Sequence, residues 1–354
     1  MSALTVPTRP EKELPRLRPV PWRQMVWVTW RQHRFALAGV AGLLGGVAAY
    51  MWAVGLRLHH AYAAALACYP RGHSLGIPIL CSNLFRSFNG MNTVLQGGYV
   101  LQAVPALIGA FVASPVLARE LETGTFRYAW TQGFGRWRWT LAKLVALALV
   151  IAPAAGAISV LFSWYYQPYF AAGNQALALS EASPFAAGLF DLRGVAFAAW
   201  TLMAFSIGAL AGLLIRRVVP AIAATLVAYA VLAVAAGLYL RQHYLTPLVT
   251  SSLNLPGSTW IISQQWLSKG RQPVSQSVLA QVLQKGAPKL AGKGGVPESL
   301  SSWQYLVQHG YTQQTVYQPA GRFWSFQLIE GGWLLALSVL MIAATVGLVR
   351  RRAT

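Results

Sequence analysis

The sequence predicts an all-α integral membrane protein that crosses a bilayer six times. Hydrophobic residues make up 56% of its 354 residues and charged residues only 10%, whereas a soluble domain carries roughly a quarter charged residues. A hydrocarbon core about 30 Å thick requires roughly 20 apolar residues of helix. Six runs have this length, at about 35–56, 98–118, 141–164, 194–215, 218–240 and 329–349.

The distribution of basic residues predicts the orientation of these runs. Residues 1–34 carry seven Lys or Arg and residues 350–352 are three arginines, whereas residues 165–190 contain neither. Because short connectors rich in Lys and Arg stay in the cytoplasm, we expect both termini there. Residues 241–328 do not count against this orientation, since segments longer than ~60 residues translocate largely regardless of charge. The expected location is a cell membrane, and the Ala- and Arg-rich composition points to a bacterium.

The same pattern divides the chain into segments. Residues 20–34 predict an amphipathic helix lying in the membrane interface, and the alternative is that they begin the first span. The outer region includes short helices expected near 274–285 and 299–309. The predicted domains are a cytoplasmic N-terminus with the interfacial helix (1–34), five spans (35–240), a small extracytoplasmic cap (241–328), and the sixth span with a basic tail (329–354).

Both cysteines, Cys68 and Cys81, fall on the predicted outer side, where a disulfide can form. Closing this short loop would stabilise the chain by roughly 3 kcal/mol in the chain-entropy picture. His59, His60 and His73 lie nearby and raise a metal site as the alternative. Because the spacing does not match a zinc site, we favour the disulfide and expect no bound metal.

Several function classes are disfavoured by what the spans contain. The spans are nearly free of ionisable residues, and those at their ends are predicted to reach the interface: Arg119, Lys143, Asp191, Arg193 and Glu330. This argues against an ion-coupled carrier and against a membrane-embedded enzyme. The net charge of +20 resides largely at span ends, which favours anionic lipid over nucleic acid as its partner. No phosphate-binding loop G-x-x-x-x-G-K-[ST] occurs.

Two glycine patterns lie within the spans, Gly42-x-x-x-Gly46 and Gly208-x-x-x-Gly212. This spacing lets helices approach closely and marks packing or dimer faces. It also arises by chance in helices rich in Ala and Gly.

The connector after the second run, 118–143, concentrates charge of both signs. Glu120 and Glu122 are two of only 8 acidic residues in the chain. The basic residues beside them are Arg119, Arg127, Arg136, Arg138 and Lys143. A connector that only crossed lipid headgroups would not need paired carboxylates, so we expect it to contact another protein. The alternative is a lipid-facing loop whose carboxylates offset the local arginines.

This connector carries a family resemblance. ARELETGT at 118–125, WTQ at 130–132 and RWRW at 136–139, followed by Lys143, resemble permease subunits of type-2 ATP-binding cassette (ABC) exporters, and most closely their actinobacterial branch. The stretch from Tyr317 to Glu330 resembles the same branch. The resemblance covers most of the chain.

The resemblance implies a mechanism and partners. It makes about Glu120–Thr131 a cytoplasmic coupling helix in a cleft of a separate ATPase subunit. The implied contact residues are Glu120, Glu122, Thr123, Gly124, Thr125 and Arg127, with Arg136, Arg138 and Lys143 as cytoplasmic anchors. Gly124 and Thr125 are expected to allow a bend.

In such permeases, two copies in the bilayer work with cytosolic ATPases that hold ATP and magnesium, so the chain itself is expected to have no catalytic residue and no cofactor. The expected activity is efflux of lipophilic, amphipathic or drug-like cargo. The alternative function is a non-transporting membrane scaffold or sensor that docks a cytosolic partner.

Overall fold

The computed structural model describes residues 21–68, 97–124, 135–173, 183–186, 188–252, 255–256, 258–290 and 304–351. Within these ranges, six helices are long and apolar enough to cross a membrane, and each overlaps one of the six predicted runs. The helices are α1 (Trp22–Cys68), α2 (Gly97–Leu107, a π-helical turn Ile108–Ala113, and Ser114–Glu122), α3 (Arg136–Gly173), α4 (Ala196–Ile215), α5 (Val218–Ala235, continued by the turns Ala236–Leu240 and Arg241–His243), α6 (Gln276–Leu290) and α7 (Phe323–Arg351). The predicted all-α membrane fold with six spans is therefore confirmed.

The first helix corrects the prediction of a separate interfacial helix over 20–34. α1 runs without a break for 47 residues, because residues 23–38 contain no Gly or Pro that would end a helix. The segment therefore begins the first span, as the alternative interpretation had it. Its buried residue Met25 packs on Trp139 and Ala142 of α3.

Helix α4 is the centre of the bundle and packs against α2, α3, α5 and α7. In the apolar stretch of 18 residues that marks α4 as a span, 67% of the residues are buried, whereas in the corresponding stretch of α5 only 11% are buried. Its glycine pattern makes this closeness possible: a side chain on Gly208 or Gly212 would overlap the carbonyl oxygens of Gly109 and Ser114 in α2. The pattern Gly208-x-x-x-Gly212 therefore packs α4 on α2 within one chain.

Replacing Gly208 by alanine should destabilise the fold by about 1–3 kcal/mol, since overpacking a close helix contact forces the backbones apart. Gly42→Ala is the matched control, because an added Cβ there meets nothing within 4 Å among the described residues. That change should be neutral or slightly stabilising, as alanine favours helix. Unfolding in detergent by SDS titration measures both, and equal midpoints for the two variants would contradict the assignment.

Helix α2 is irregular in its middle. Pro105 lies in its first part, and a π-helical turn follows at Ile108–Ala113, a feature frequent at functional sites. The hydroxyl of Ser114 donates to the carbonyl of Gly109 at 3.2 Å and lies 2.8 Å from the hydroxyl of Thr225 in α5. This contact joins the middle of α2 to α5.

Among the described residues, four short strands lie between α5 and α7, in a region where the sequence analysis predicted short helices and no strand. They are β1 (Leu248–Thr250), β2 (Trp260–Leu267), β3 (Pro273–Val274) and β4 (Thr312–Gln318), in the antiparallel order β1-β4-β2-β3. The expected helices are present as α6 and a helical turn at 304–308. Trp260 of β2 stacks on Phe185 with ring centroids 5.5 Å apart. This contact packs the sheet against the helix bundle.

Candidate functional site

Buried charges occur at both ends of the helix bundle. We name the end where α2 and α4 finish the Glu120 end, and the opposite end, beside the four strands, the sheet end. Lys143 is 1% exposed, Arg241 2% and Glu330 0%. The prediction that such residues sit at span ends and reach the interface is therefore wrong for Lys143 and Glu330, because other elements cover them. Buried ionisable groups in a membrane bundle are expensive and point to function.

At the Glu120 end, one ion pair joins α2 to α3. The ammonium of Lys143 donates a hydrogen bond to Glu120 Oε1, and lies 5.1 Å from the ring centroid of Trp139. Glu120 keeps 21% of its side chain exposed, whereas Lys143 is sealed from solvent. The carboxylate therefore compensates a cation that has no access to water.

A second contact joins the same end of α2 to α5. Glu122 Oε2 accepts the backbone N–H of Val218, the first residue of α5, at 3.1 Å. The first N–H groups of a helix lack partners within the helix, and its N-terminus favours negative charge. Glu122 thus caps α5 from a different helix. Together, the two carboxylates fix the end of α2 to both α3 and α5.

Helix α2 ends immediately after these contacts. Thr123 donates its hydroxyl to the carbonyl of Arg119 at 2.8 Å, and Gly124 adopts a left-handed φ of 71°. A residue without Cβ takes this conformation at little cost and commonly closes a helix. The bend expected at Gly124 is therefore present.

At the sheet end, a charge cluster in which Arg241 and Glu330 are buried joins three helices and a turn. Arg241 donates Nε to Glu330 Oε2 at 3.0 Å and a terminal nitrogen to Glu330 Oε1 at 2.8 Å, and it also pairs with Asp191. Glu330 further accepts the indole N–H of Trp200 at 2.9 Å and the hydroxyl of Tyr244 at 3.2 Å. Every oxygen of Glu330 is thus used within the protein.

The turn that carries Asp191 is held by a buried glutamine of α7. Gln327 donates to the carbonyl of Phe190 at 2.9 Å and accepts the N–H of Ala196 at 2.9 Å. The guanidinium of the neighbouring Arg193 lies over the rings of Phe170 and Phe323. Gln327 therefore holds the backbone on both sides of Asp191, and this backbone places the Asp191 carboxylate beside Arg241.

A cavity of about 450 Å³ lies beside this cluster, between α2, α4 and α5. Its walls are largely apolar and aromatic, and Asp191 and Arg241 supply its charged groups. Ligand pockets typically measure about 300–1,000 Å³ and combine apolar walls with a few placed polar groups. The cavity therefore has the size and chemistry of a small-molecule site.

The family model described as ABC-2 membrane transporter related matches residues 41–241, more than half of the chain. The chain belongs to this family. No curated protein and no solved structure matches it. The family consists of multi-pass membrane permeases of ABC transporters, which lack an ATPase site of their own and work with cytosolic ATPase partners. Glu120, Lys143, Asp191 and Arg241 lie inside the matched region, whereas the strands and Glu330 lie beyond it.

The residues expected at the coupling segment of this ABC-2 permease are only partly described. Thr125 and Arg127 lie outside the described residues. Arg136 and Arg138 begin α3, where the Arg138 guanidinium carbon is 5.0 Å from the ring centroid of Trp22. The sequence analysis gave Glu120 and Lys143 different roles, and the structure brings them into one ion pair.

Cys68 is the last residue of α1 and is disulfide-bonded. Cys81 lies outside the described residues, so the pairing of Cys68 with Cys81 stays a prediction.

The structure of the ABC-2 permease also contains a charge cluster that the sequence analysis missed. Asp191, Glu330 and Arg241 looked like isolated residues near span ends, yet they meet in one cluster. Burial raises the pKa of the Asp191 carboxyl to about 7, because desolvation, with the repulsion of Glu330, outweighs the attraction of Arg241. The only signal in the sequence was the scarcity of acidic residues, which makes the position of each one informative.

Proposed function

We propose that this chain is the membrane subunit of an ATP-driven exporter whose energy comes from a separate cytosolic ATPase. Membership of the ABC-2 family supports the assignment of the chain to the membrane subunits of ABC transporters. The observation that carries the mechanism is the Glu120–Lys143 ion pair, which ties the first residue of the segment proposed to contact the ATPase to α3. Cargo efflux, rather than uptake, follows the resemblance of the connector to exporters.

The contacts of α2 supply a route for force through the bundle. In this proposal, the ATPase pushes on the segment that begins at Glu120. That push reaches α3 through Lys143 and α5 through Val218. It reaches α4 directly, because Gly208 and Gly212 leave α2 and α4 in backbone contact. Packed helices of this kind switch between discrete arrangements rather than deform gradually.

The remaining parts of the proposal concern the assembly. Two copies of the chain and two ATPase subunits form the working unit, with ATP and magnesium bound only by the ATPases. The chain lies in a bacterial cell membrane with both termini and the Glu120 end in the cytoplasm. The strands then lie outside the cell, near the exit of the proposed pathway.

Purification of the full chain with its cytosolic partner tests this function. The expected result is a complex that hydrolyses ATP and, in lipid vesicles, moves cargo only when ATP is present. The two-copy arrangement is checked by the mass of the complex. A partner that does not hydrolyse ATP would contradict the proposal and favour the membrane scaffold or sensor.

Charge reversal at Glu122 tests the coupling segment. Glu122→Lys should lower transport per ATP hydrolysed by at least about fivefold, the low end of usual coupling strengths. The cost to folding should be only about 1 kcal/mol, because the lost contact is an exposed helix cap.

Glu122→Gln is the matched control, since its amide oxygen still accepts the N–H of Val218. It should retain most of the transport. Full coupled transport by Glu122→Lys would show that the segment is wrongly assigned.

A further inference from the structure

We propose that the cavity between α2, α4 and α5 binds a lipophilic cation, with the Asp191 carboxylate as its counterion. This inference rests on the proposed function in treating that cation as cargo. The binding step is a property of this chain alone.

The charge cluster beside the cavity has an excess of negative charge. It contains one guanidinium and two carboxylates, a formal charge of −1. Arg241 does not supply a free cation to the cavity, since it donates to Glu330 through two nitrogens and also pairs with Asp191. The other nearby cation, Arg193, lies over Phe170 and Phe323 and is not part of the lining. A bound monovalent cation therefore brings the formal charge of the cluster from −1 to zero.

Asp191 is the carboxylate that a ligand can reach. Its side chain is 27% exposed, whereas those of Glu330 and Arg241 are 0% and 3% exposed. Asp191 lines the cavity, and Glu330 does not. The bidentate pair of Glu330 with Arg241 holds the guanidinium in place and leaves Asp191 as the group that faces the cavity.

The walls suit an aromatic or otherwise lipophilic body. Phe197 and Trp200 of α4 and Tyr229 of α5 line the cavity, and aromatic faces attract cations, most strongly where water is excluded. Val234 and Leu238 also line it, and their side chains are 58% and 75% exposed on α5. The cavity therefore reaches the side of the bundle, where a ligand dissolved in lipid can enter.

Paired hydrophobic ions of opposite charge provide the test. Tetraphenylphosphonium and tetraphenylborate have nearly the same shape, so a difference in their binding to the purified full chain reports the charge preference of the cavity. Gly237 lines the cavity, and an added Cβ there meets none of the described atoms within 4 Å. Gly237→Phe should therefore place a phenyl ring in the cavity, and ion binding that remains in this variant is the blank, which measures binding to detergent and lipid.

The chain should bind tetraphenylphosphonium above this blank and tetraphenylborate no better than the blank. Asp191→Asn, which keeps an acceptor for Arg241, should weaken tetraphenylphosphonium binding by at least about tenfold, as for other desolvated charge pairs. Equal binding of the two ions would overturn the inference. So would undiminished cation binding by an Asp191→Asn variant whose unfolding midpoint matches that of the unmodified chain.

The pH dependence of binding gives a second test that needs no variant. The groups facing Asp191 are Arg241, Glu330 and the Tyr229 hydroxyl, and the pKa of Asp191 is raised to about 7 by burial. Protonation removes its charge, so cation affinity should fall as the pH drops. Between about pH 6 and pH 8 the ionised fraction, and with it the affinity, should rise about tenfold. A flat profile would contradict the role of Asp191.

Failure of this inference and failure of the proposed function are distinguishable. If the chain binds tetraphenylphosphonium but the complex with its ATPase does not transport it, the binding site stands and its role as a cargo site is overturned. If the complex transports another compound with ATP while the chain fails to bind the cation, the proposed function stands and this inference is overturned.

Discussion

Replacing Glu330 by alanine should destabilise the folded chain by about 3–5 kcal/mol, the usual cost of removing one partner from a buried ion pair. Glu330 is fully buried, and the change leaves Arg241 without its bidentate acceptor. It also removes the acceptor of the Trp200 indole and the Tyr244 hydroxyl. SDS titration of the detergent-solubilised chain measures the loss as a lower unfolding midpoint.

The double variant Arg241→Met with Glu330→Leu is the control for this prediction. It replaces the buried pair by apolar side chains of similar size, which removes the guanidinium that has lost its bidentate acceptor. The double variant should therefore be more stable than Glu330→Ala alone, although Asp191 loses its partner. If Glu330→Ala unfolds at the same midpoint as the unmodified chain, the cluster is not a structural element of the sheet end.

At the Glu120 end, the two partners of the ion pair should respond unequally to substitution. Glu120→Ala strands the Lys143 ammonium, which is 1% exposed, and should cost about 3–5 kcal/mol of folding free energy. Lys143→Met should cost much less, because the remaining Glu120 carboxylate is 21% exposed and can be solvated. The same SDS titration compares the variants, and equal losses would contradict the burial of Lys143.

The six spans could be predicted from the sequence because each depends only on a local property. An uninterrupted apolar run of the right length requires no partner to be recognised, and α4 shows this at its clearest. Gly208 and Gly212 were also recognised as a packing pattern. Which helix they contact could not be predicted, since the contact with Gly109 depends on how α2 and α4 cross.

The charge clusters escaped prediction because they join residues far apart in the sequence. Arg241 and Glu330 are 89 positions apart, and Arg241 and Asp191 are 50 apart. Each lies near the end of an apolar run, where a solvated position is the ordinary expectation. The ring of Phe190 covers the Arg241 guanidinium, whose carbon lies 4.1 Å from the ring centroid.

The strands were missed for a different reason. β2 reads WIISQQWL, and its Ser-Gln-Gln centre breaks the alternation of apolar and polar residues that identifies a strand. A register shift between Ile261 and Ser263 interrupts the pairing with β4 as well. Pairing with β4, about 50 residues further on, holds β2 in place, and this contact has no local signature.

In the proposed mechanism, the end of α2 transmits the work of an ATPase to the bundle through the Glu120–Lys143 pair. The double variant Glu120→Gln with Lys143→Met tests it most directly, because it removes the link between α2 and α3 without stranding a buried charge. Transport per ATP hydrolysed is measured with the ATPase-bound complex in lipid vesicles. The expected result is an intact complex with ATPase activity retained and transport per ATP reduced by at least about fivefold. Transport per ATP equal to that of the unmodified complex would contradict the account.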